Sequence, residues 1–261
     1  MEFKEVVGRR RSIRFFDPDK PVERDKIQAI LETARLASCA VNAQWLRAIV
    51  VERDKLPPEK LNQLKTPVAG LTLDLAPVHI YFFCDLGIVN RIKGSRLKEL
   101  VDVGALAPTH GWSHKFVDDF VYPQILEPMT KNLQGYLAAA MADCGGAAHM
   151  ALLAAFDEGL GACLNTPNPA LTAQVFGVPA DWVSLWVMLL GYPSESWEAG
   201  GQRPRPPFEE LYFDGEYGKP FPRDPAVVER LTKQKMFQTP APLPGRREEI
   251  RKLAEKYGLP E

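Results

Sequence analysis

Residues 132–160 read Asn-Leu-Gln-Gly-Tyr-Leu-Ala-Ala-Ala-Met-Ala-Asp-Cys-Gly-Gly-Ala-Ala-His-Met-Ala-Leu-Leu-Ala-Ala-Phe-Asp-Glu-Gly-Leu, the longest helical pattern in the chain. Leu133, Tyr136, Leu137, Met141, Ala148, Met150, Leu152, Leu153 and Phe156 carry it, and alanine and glycine fill most of the remaining surface. A helix apolar nearly all round is predicted to be buried, either at a core centre or in a subunit interface. Gly145, Gly146, Ala147 and Ala148 would let a second backbone come close. The paired glycines each cost the helix about 1 kcal/mol relative to alanine. His149 is expected to be a satisfied buried histidine rather than a catalyst. Gly159 and Gly161 close the helix.

Strands flank this segment. Downstream, Ala162–Leu164 reads as a short strand and Asn165-Thr166-Pro167-Asn168 as a turn. Asn168 caps a helix that Pro169 opens, and Trp182–Leu190 is a buried strand. Upstream, Pro77–Cys84 is apolar on both faces and therefore central, and Leu46–Val51 is a further strand. A short helix over Phe3–Val7 and a second from Pro21-Val22 to near Ser38 complete the N-terminal part. In the second helix Ile27, Ile30, Leu31 and Ala34 form one apolar stripe. Residues 86–131 contain the turn-rich, aromatic run Gly104–His114 and are expected to form a lid or insertion. His110 and His114 stand four apart, but Gly111 weakens a helix there and no third ligand is apparent, so no metal is expected. After Gly191-Tyr192-Pro193 comes a Gly/Pro-rich loop with Arg203-Pro204-Arg205-Pro206-Pro207. One domain over 1–218 is expected, followed by a Pro-rich extension over 219–261. Within that extension Arg246–Tyr257 reads as a short exposed helix ended by Gly258.

Composition removes several function classes. Lys and Arg total 32 against 33 Asp and Glu, a net charge of −1, so a general nucleic-acid or membrane-surface role is not expected. Cys39, Cys84, Cys144 and Cys163 form no close pair and no zinc spacing, which fits a reducing cytoplasm. The N-terminus has no apolar signal core, and no run is expected to reach the length of a bilayer span.

Against that neutral background Arg9-Arg10-Arg11-Ser12-Ile13-Arg14 is a candidate phosphate site. Guanidinium forks match phosphate oxygens, and a hydroxyl adds a neutral hydrogen bond. The alternative is a solvated basic arm, or one that touches nucleic acid. Ile13, Phe15 and Phe16, interleaved with the charges, favour a folded segment.

Three separated signals fall in order: the N-terminal arginines, Ser38-Cys39-Ala40-Val41-Asn42-Ala43-Gln44, and Arg203-Pro204-Arg205. Together with Asp143–Gly161 and Gly191-Tyr192-Pro193 between them, this set resembles the FMN-dependent nitroreductase family over most of residues 1–213. The resemblance implies an α+β fold, with a mixed sheet flanked by helices around a long buried central helix, and an interlocked homodimer. It implies that Arg10, Arg11, Ser12 and Arg14 contact the FMN phosphate, ribityl chain and pyrimidine edge, and that Arg203 and Arg205 close on the phosphate from the other side. The segment Ser38, Cys39, Ala40 and Asn42 would reach the flavin of the other subunit, and Thr166 and Pro167 would lie near flavin N5 and O4. The chain departs from the family pattern in two places. In the first, Ser38-Cys39 stands for Pro-Ser and Trp45 for a later proline; in the second, Pro167 has no N–H, which leaves Thr166 as the donor.

The implied activity is NAD(P)H-dependent reduction of small flat acceptors, nitroaromatics or quinones, by ping-pong alternation through one site. Flavin carries the chemistry, and no side-chain acid or base is required. Trp112, Phe116 and Phe120 are candidates for stacking on an aromatic substrate, against ordinary packing. Reductive dehalogenases and ene-type reductases share the fold, and a non-enzymatic flavin-binding module would use the same anchoring arginines.

Overall fold

The computed structural model describes residues 1–259; Pro260 and Glu261, the end of the Pro-rich extension, lie outside the described residues. In chain order the elements are α1 (Phe3–Arg9), α2 (Arg24–Arg35), β1 (Leu46–Glu52), α3 (Pro58–Leu64), α4 (Gly70–Leu75) and β2 (Val78–Asp85). Then come α5 (Ile88–Ile92), α6 (Ser95–Asp102), α7 (His114–Phe116) with a π-helical run Val117–Leu126, α8 (Glu127–Lys131) and α9 (Leu133–Asp157). The chain ends with β3 (Gly161–Asn165), α10 (Pro169–Phe176), β4 (Trp182–Gly191), α11 (Phe208–Leu211), α12 (Pro225–Lys233) and α13 (Arg246–Tyr257).

The fold is α+β. The sheet order is β1-β2-β4-β3, so β2 and β4 are central. Every position of β2 is buried, which explains its unbroken apolar sequence. Successive side chains serve opposite faces. Ile80, Phe82 and Cys84 join a core with α2 and α9, whereas Tyr81 and Phe83 join a second core with α4 and the strap Ile13–Phe16. The expected mixed sheet needs correction. All three strand pairs are antiparallel, and parallel pairing is confined, among the described residues, to the isolated bridges Ser12–Ala162, beside β3, and Gln202–Pro240.

The central helix is α9, capped by the Asn132 side chain, which accepts the Gly135 N–H. Within the single chain it is buried on one side, which leaves the interface alternative open for the other. Tyr136, Ala140, Cys144, Ala147, Ala148, Ala151 and Ala155 face the core. Gly135, Ala138, Ala139, Ala142, Gly146 and His149 share an exposed stripe. His149 is therefore exposed, not buried, and its Nδ1 pairs with the Gly145 carbonyl at 2.8 Å. The expectation about bilayer spans is also corrected, because α9 is long and apolar enough to cross a membrane by length and composition. Its apolarity is accounted for by contacts with α2, β2, β3 and β4, the packing of a core helix.

Residues 86–131 are largely helical, and Leu97, Val117, Val121 and Leu126 are core members. One further expectation changes. The helix over Arg246–Tyr257 is present and is closed by Gly258 in the left-handed region, but it is docked rather than simply exposed. Leu253 and Ala254 are buried, and the Tyr257 hydroxyl donates to the Phe16 carbonyl at 3.0 Å.

Candidate functional site

The N-terminal strap positions the first arginines. After α1 the chain extends, and the Ile13 N–H donates to the Ala162 carbonyl at 3.1 Å. The Asp17 N–H donates to the Tyr192 carbonyl and the Ser194 N–H to the Phe15 carbonyl, each at 2.8 Å. Ile13 and Phe16 are buried, and Arg14 is turned outward. Gly161 makes the close approach possible: a Cβ there would meet Ile13 Cβ at 3.0 Å and Pro193 Cγ at 2.9 Å. Burying a large apolar side chain is worth about 1.5–3 kcal/mol, so Ile13 and Phe16 hold the strap against the repulsion of its charges.

Arg11 is the buried member. Its Nη1 donates to the Gly8 carbonyl at 2.6 Å and the Arg10 carbonyl at 3.0 Å. Its Nε and Nη2 have no hydrogen-bond partner, and the nearest carboxylate oxygen, Glu198 Oε2, is 3.6 Å from Nη2. Burial pushes the Arg11 pKa down; Glu198 opposes this, and Arg203, Arg205 and Arg9 add to it. Arg10 is pushed down by burial, then by Arg11 and Arg205. Arg203 is pushed down by burial, then by Arg14 and Arg246. Arg10, Arg11, Arg14, Arg203 and Arg205, drawn from two ends of the sequence, thus form one electrostatic cluster beside Ser12. Among the described residues, the side chains of Arg203 and Arg205 hydrogen-bond only to backbone carbonyls, those of Gly201 and Pro204. Among the described residues, Arg10, Arg14, Arg203 and Arg205 form no salt bridge. Such a cluster suits a multiply charged anion, and the orphaned Arg11 nitrogens fit a phosphate. Thr166 is exposed and Pro167 buried, just past β3.

A second feature stands apart. A cavity of about 1040 Å³ is lined by Ser38, Cys39, Val41 and Asn42, by Leu97, Leu100 and Trp112 from the 86–131 region, and by Asp143 and Cys144 of α9; Ala40, in the same loop, is not in its wall. No member of the arginine cluster lines it. The loop is strained: Val41 has φ 50°, Asn42 49° and Gln44 57°, and a β-branched residue rarely adopts such values. It is anchored by the Ala40 N–H on Asp143 Oδ2 at 2.7 Å and by Gln44 Nε2 on Asn42 Oδ1 at 2.9 Å. Trp45 Nε1 donates to the Tyr136 hydroxyl at 3.0 Å, which in turn donates to the Leu86 carbonyl at 2.7 Å. Burial pushes the Cys39 thiol up, so it is a neutral side chain at neutral pH. Of the three aromatic candidates, Trp112 faces the cavity. Phe116 and Phe120 stack on each other at 5.4 Å on an exposed face.

His114 Nε2 lies 2.7 Å from Asp102 Oδ1, and among the described residues no group of three or more His, Cys, Asp or Glu is placed to hold a metal.

Sequence reasoning missed Glu195, Glu198 and Arg246. Glu195 is 5 % exposed; its Oε1 accepts the Arg14 N–H at 2.5 Å and the Phe15 N–H at 3.0 Å. Nothing local marks a lone glutamate after a Gly-Tyr-Pro turn, and Arg246 is far along the chain.

Residues 7–75 match the sequence profile of the Nitroreductase family. No curated protein matches the chain. Among solved structures, a nitroreductase family protein of Streptococcus pneumoniae is similar at 21% identity and TM-score 0.61, over 82% of this chain and 100% of that one. A provisionally named NAD(P)H:FMN oxidoreductase of Staphylococcus epidermidis is similar at 19% identity and TM-score 0.65, covering 80% and 94%. A provisionally named nitroreductase of Exiguobacterium sibiricum, in complex with FMN, is similar at 21% identity and TM-score 0.58, covering 88% and 96%. These identities establish a shared fold.

Proposed function

We propose that this chain, whose residues 7–75 match the Nitroreductase family profile, is a member of that family and an FMN-dependent oxidoreductase that uses NADH or NADPH to reduce small flat acceptors. The observation that carries this reading is the convergence of Arg10, Arg11, Arg14, Arg203 and Arg205 around the unpartnered Arg11 nitrogens. These side chains and Ser12 would hold the FMN phosphate and ribityl chain. The chemistry that bound FMN supplies is hydride acceptance from the nicotinamide and onward electron transfer to the acceptor, in ping-pong alternation. The protein's part is anchoring and orientation. Thr166 would offer its N–H toward flavin N5, and Pro167, having none, would shape that side by packing.

The acceptor site is assigned to the large cavity, with Trp112 as an apolar wall. Phe116 and Phe120 are assigned to the rim of that site. Since the cavity and the arginine cluster are separate within one chain, the reading requires a homodimer. Ser38, Cys39, Ala40 and Asn42 of one subunit would then complete the flavin site of its partner. The exposed small-residue stripe of α9 supports this, because Gly and Ala allow two backbones to approach. Nitroaromatics and quinones are the proposed acceptors; dehalogenation or alkene reduction would use the same anchoring residues.

The test is to load the purified protein with FMN and add NADH or NADPH without oxygen. The account expects the yellow absorbance to bleach and to return on addition of a quinone or nitroaromatic. A flavin-loaded protein that neither nicotinamide bleaches would be a binding module instead.

A further inference from the structure

Glu195 is a carboxylate buried among guanidinium groups. One oxygen is committed to the backbone N–H groups of Arg14 and Phe15. The other accepts Arg246 Nη2 at 2.5 Å. Arg203 is close enough to Glu195, Arg246, Arg14 and Arg205 to feel the charge of each. Glu195 therefore stands beside the same arginines that face the proposed phosphate.

Arg246 arrives from the far end of the chain, as the first residue of α13. Its Nη1 donates to Glu249 Oε2 at 2.8 Å, and Glu249 in turn accepts the Ser196 N–H. The path of its side chain depends on a glycine. Gly200 has φ 86°, and a Cβ there would meet Arg246 Cγ at 2.9 Å. Gly201, at φ 109°, would likewise press on Ala241 N at 2.8 Å. Two adjacent glycines thus admit the C-terminal segment to this site.

An unneutralised carboxylate here would compete with a phosphate for Arg14 and Arg203. We infer that Arg246 neutralises Glu195, so that Glu195 holds the Arg14–Phe15 backbone without drawing those guanidiniums off the dianion; the C-terminal helix is thereby part of the anion site. Glu195 and Arg246 are positioning residues, since neither is assigned a contact with the ligand. The inference rests on the proposed flavin function only for the identity of the dianion.

The experiment measures FMN and riboflavin affinity for the full chain, for Arg246→Gln and for Arg246→Gln/Glu195→Gln. Riboflavin has the same ring and ribityl chain and lacks the phosphate. Arg246→Gln is expected to weaken FMN by about tenfold or more, the scale of one charge-assisted hydrogen bond, and to leave riboflavin unchanged. The double variant is expected to recover most of the lost FMN affinity, because glutamine still accepts both N–H groups and carries no charge. Arg246→Ala alone and with Glu195→Gln repeats the comparison should the first pair fold poorly. Unchanged FMN binding in Arg246→Gln overturns the inference. So does an equal loss of FMN and riboflavin, which is the result a merely structural contact would produce, or a double variant as weak as the single. A wild-type chain that takes up inorganic phosphate but no flavin contradicts the flavin function alone; the variants are then compared by phosphate-induced thermal shift. A wild-type chain that binds none of the three overturns both.

Discussion

At the scale of the residue, Arg11 is the most informative side chain. Its charge is buried, and two of its three nitrogens lack hydrogen-bond partners. Replacing a poorly compensated buried charge with an apolar side chain of similar length is often neutral or stabilising, by about 1–4 kcal/mol. Loss of its two backbone hydrogen bonds costs about 1 kcal/mol each. Arg11→Met is therefore predicted to melt within a few degrees of wild type without ligand, and to lose the stabilisation FMN confers. Differential scanning fluorimetry with and without FMN reads both, and an intact FMN-dependent shift in Arg11→Met would count against the assignment. His79 makes a second prediction. Burial lowers its pKa from 6.5 to about 4, and Nε2 pairs with the Leu73 and Ala76 carbonyls. The unfolded chain takes up this proton below about pH 6.5 while the native chain resists until about pH 4. Stability contributed by neutral His79 is thus complete above pH 6.5 and declines as pH falls toward 4, by about 3 kcal/mol. Urea denaturation across this range should show that slope, and His79→Gln should flatten it; an unchanged slope would mean another group is responsible.

At the scale of the element, much was legible. The strands β1, β2 and β4 follow from apolar runs between breakers, and Asn168 and Pro169 mark the start of α10 through cap chemistry. The limit shows on α9. Nearly uniform apolarity predicts burial without saying what buries each face, and alanine is equally at home under a sheet or on an open stripe. For the same reason the sequence does not distinguish His149 from its buried neighbours: an exposed histidine satisfied by its own helix leaves no periodic signal. The stripe yields a prediction. No neighbouring atom lies within 4 Å of a Cβ built at Gly146, so Gly146→Leu fits the isolated chain and improves helix propensity by about 1 kcal/mol. If α9 meets its copy there, the leucine separates the subunits. Analytical ultracentrifugation should show the variant shifted toward monomer and binding less FMN; a dimer of undiminished FMN content would place the interface elsewhere.

At the scale of the whole molecule, the proposed site is assembled from segments that share no local signal. The arginine pattern near residue 10 and the Arg-Pro-Arg run near 204 are visible in the sequence, and their meeting is visible only in the fold. Glu195 and Arg246 were illegible because single charged residues are common, and what distinguishes these two is burial against each other. The measurement that bears most directly on the central claim is equilibrium titration of flavin-free protein with FMN, for wild type, Arg14→Ala and Arg205→Ala. Wild type is predicted to saturate near one FMN per chain. Each variant is predicted to bind about 10- to 100-fold more weakly, as expected for removal of one charged phosphate contact. Wild-type protein that takes up no FMN, or variants that bind as tightly as wild type, would contradict the account.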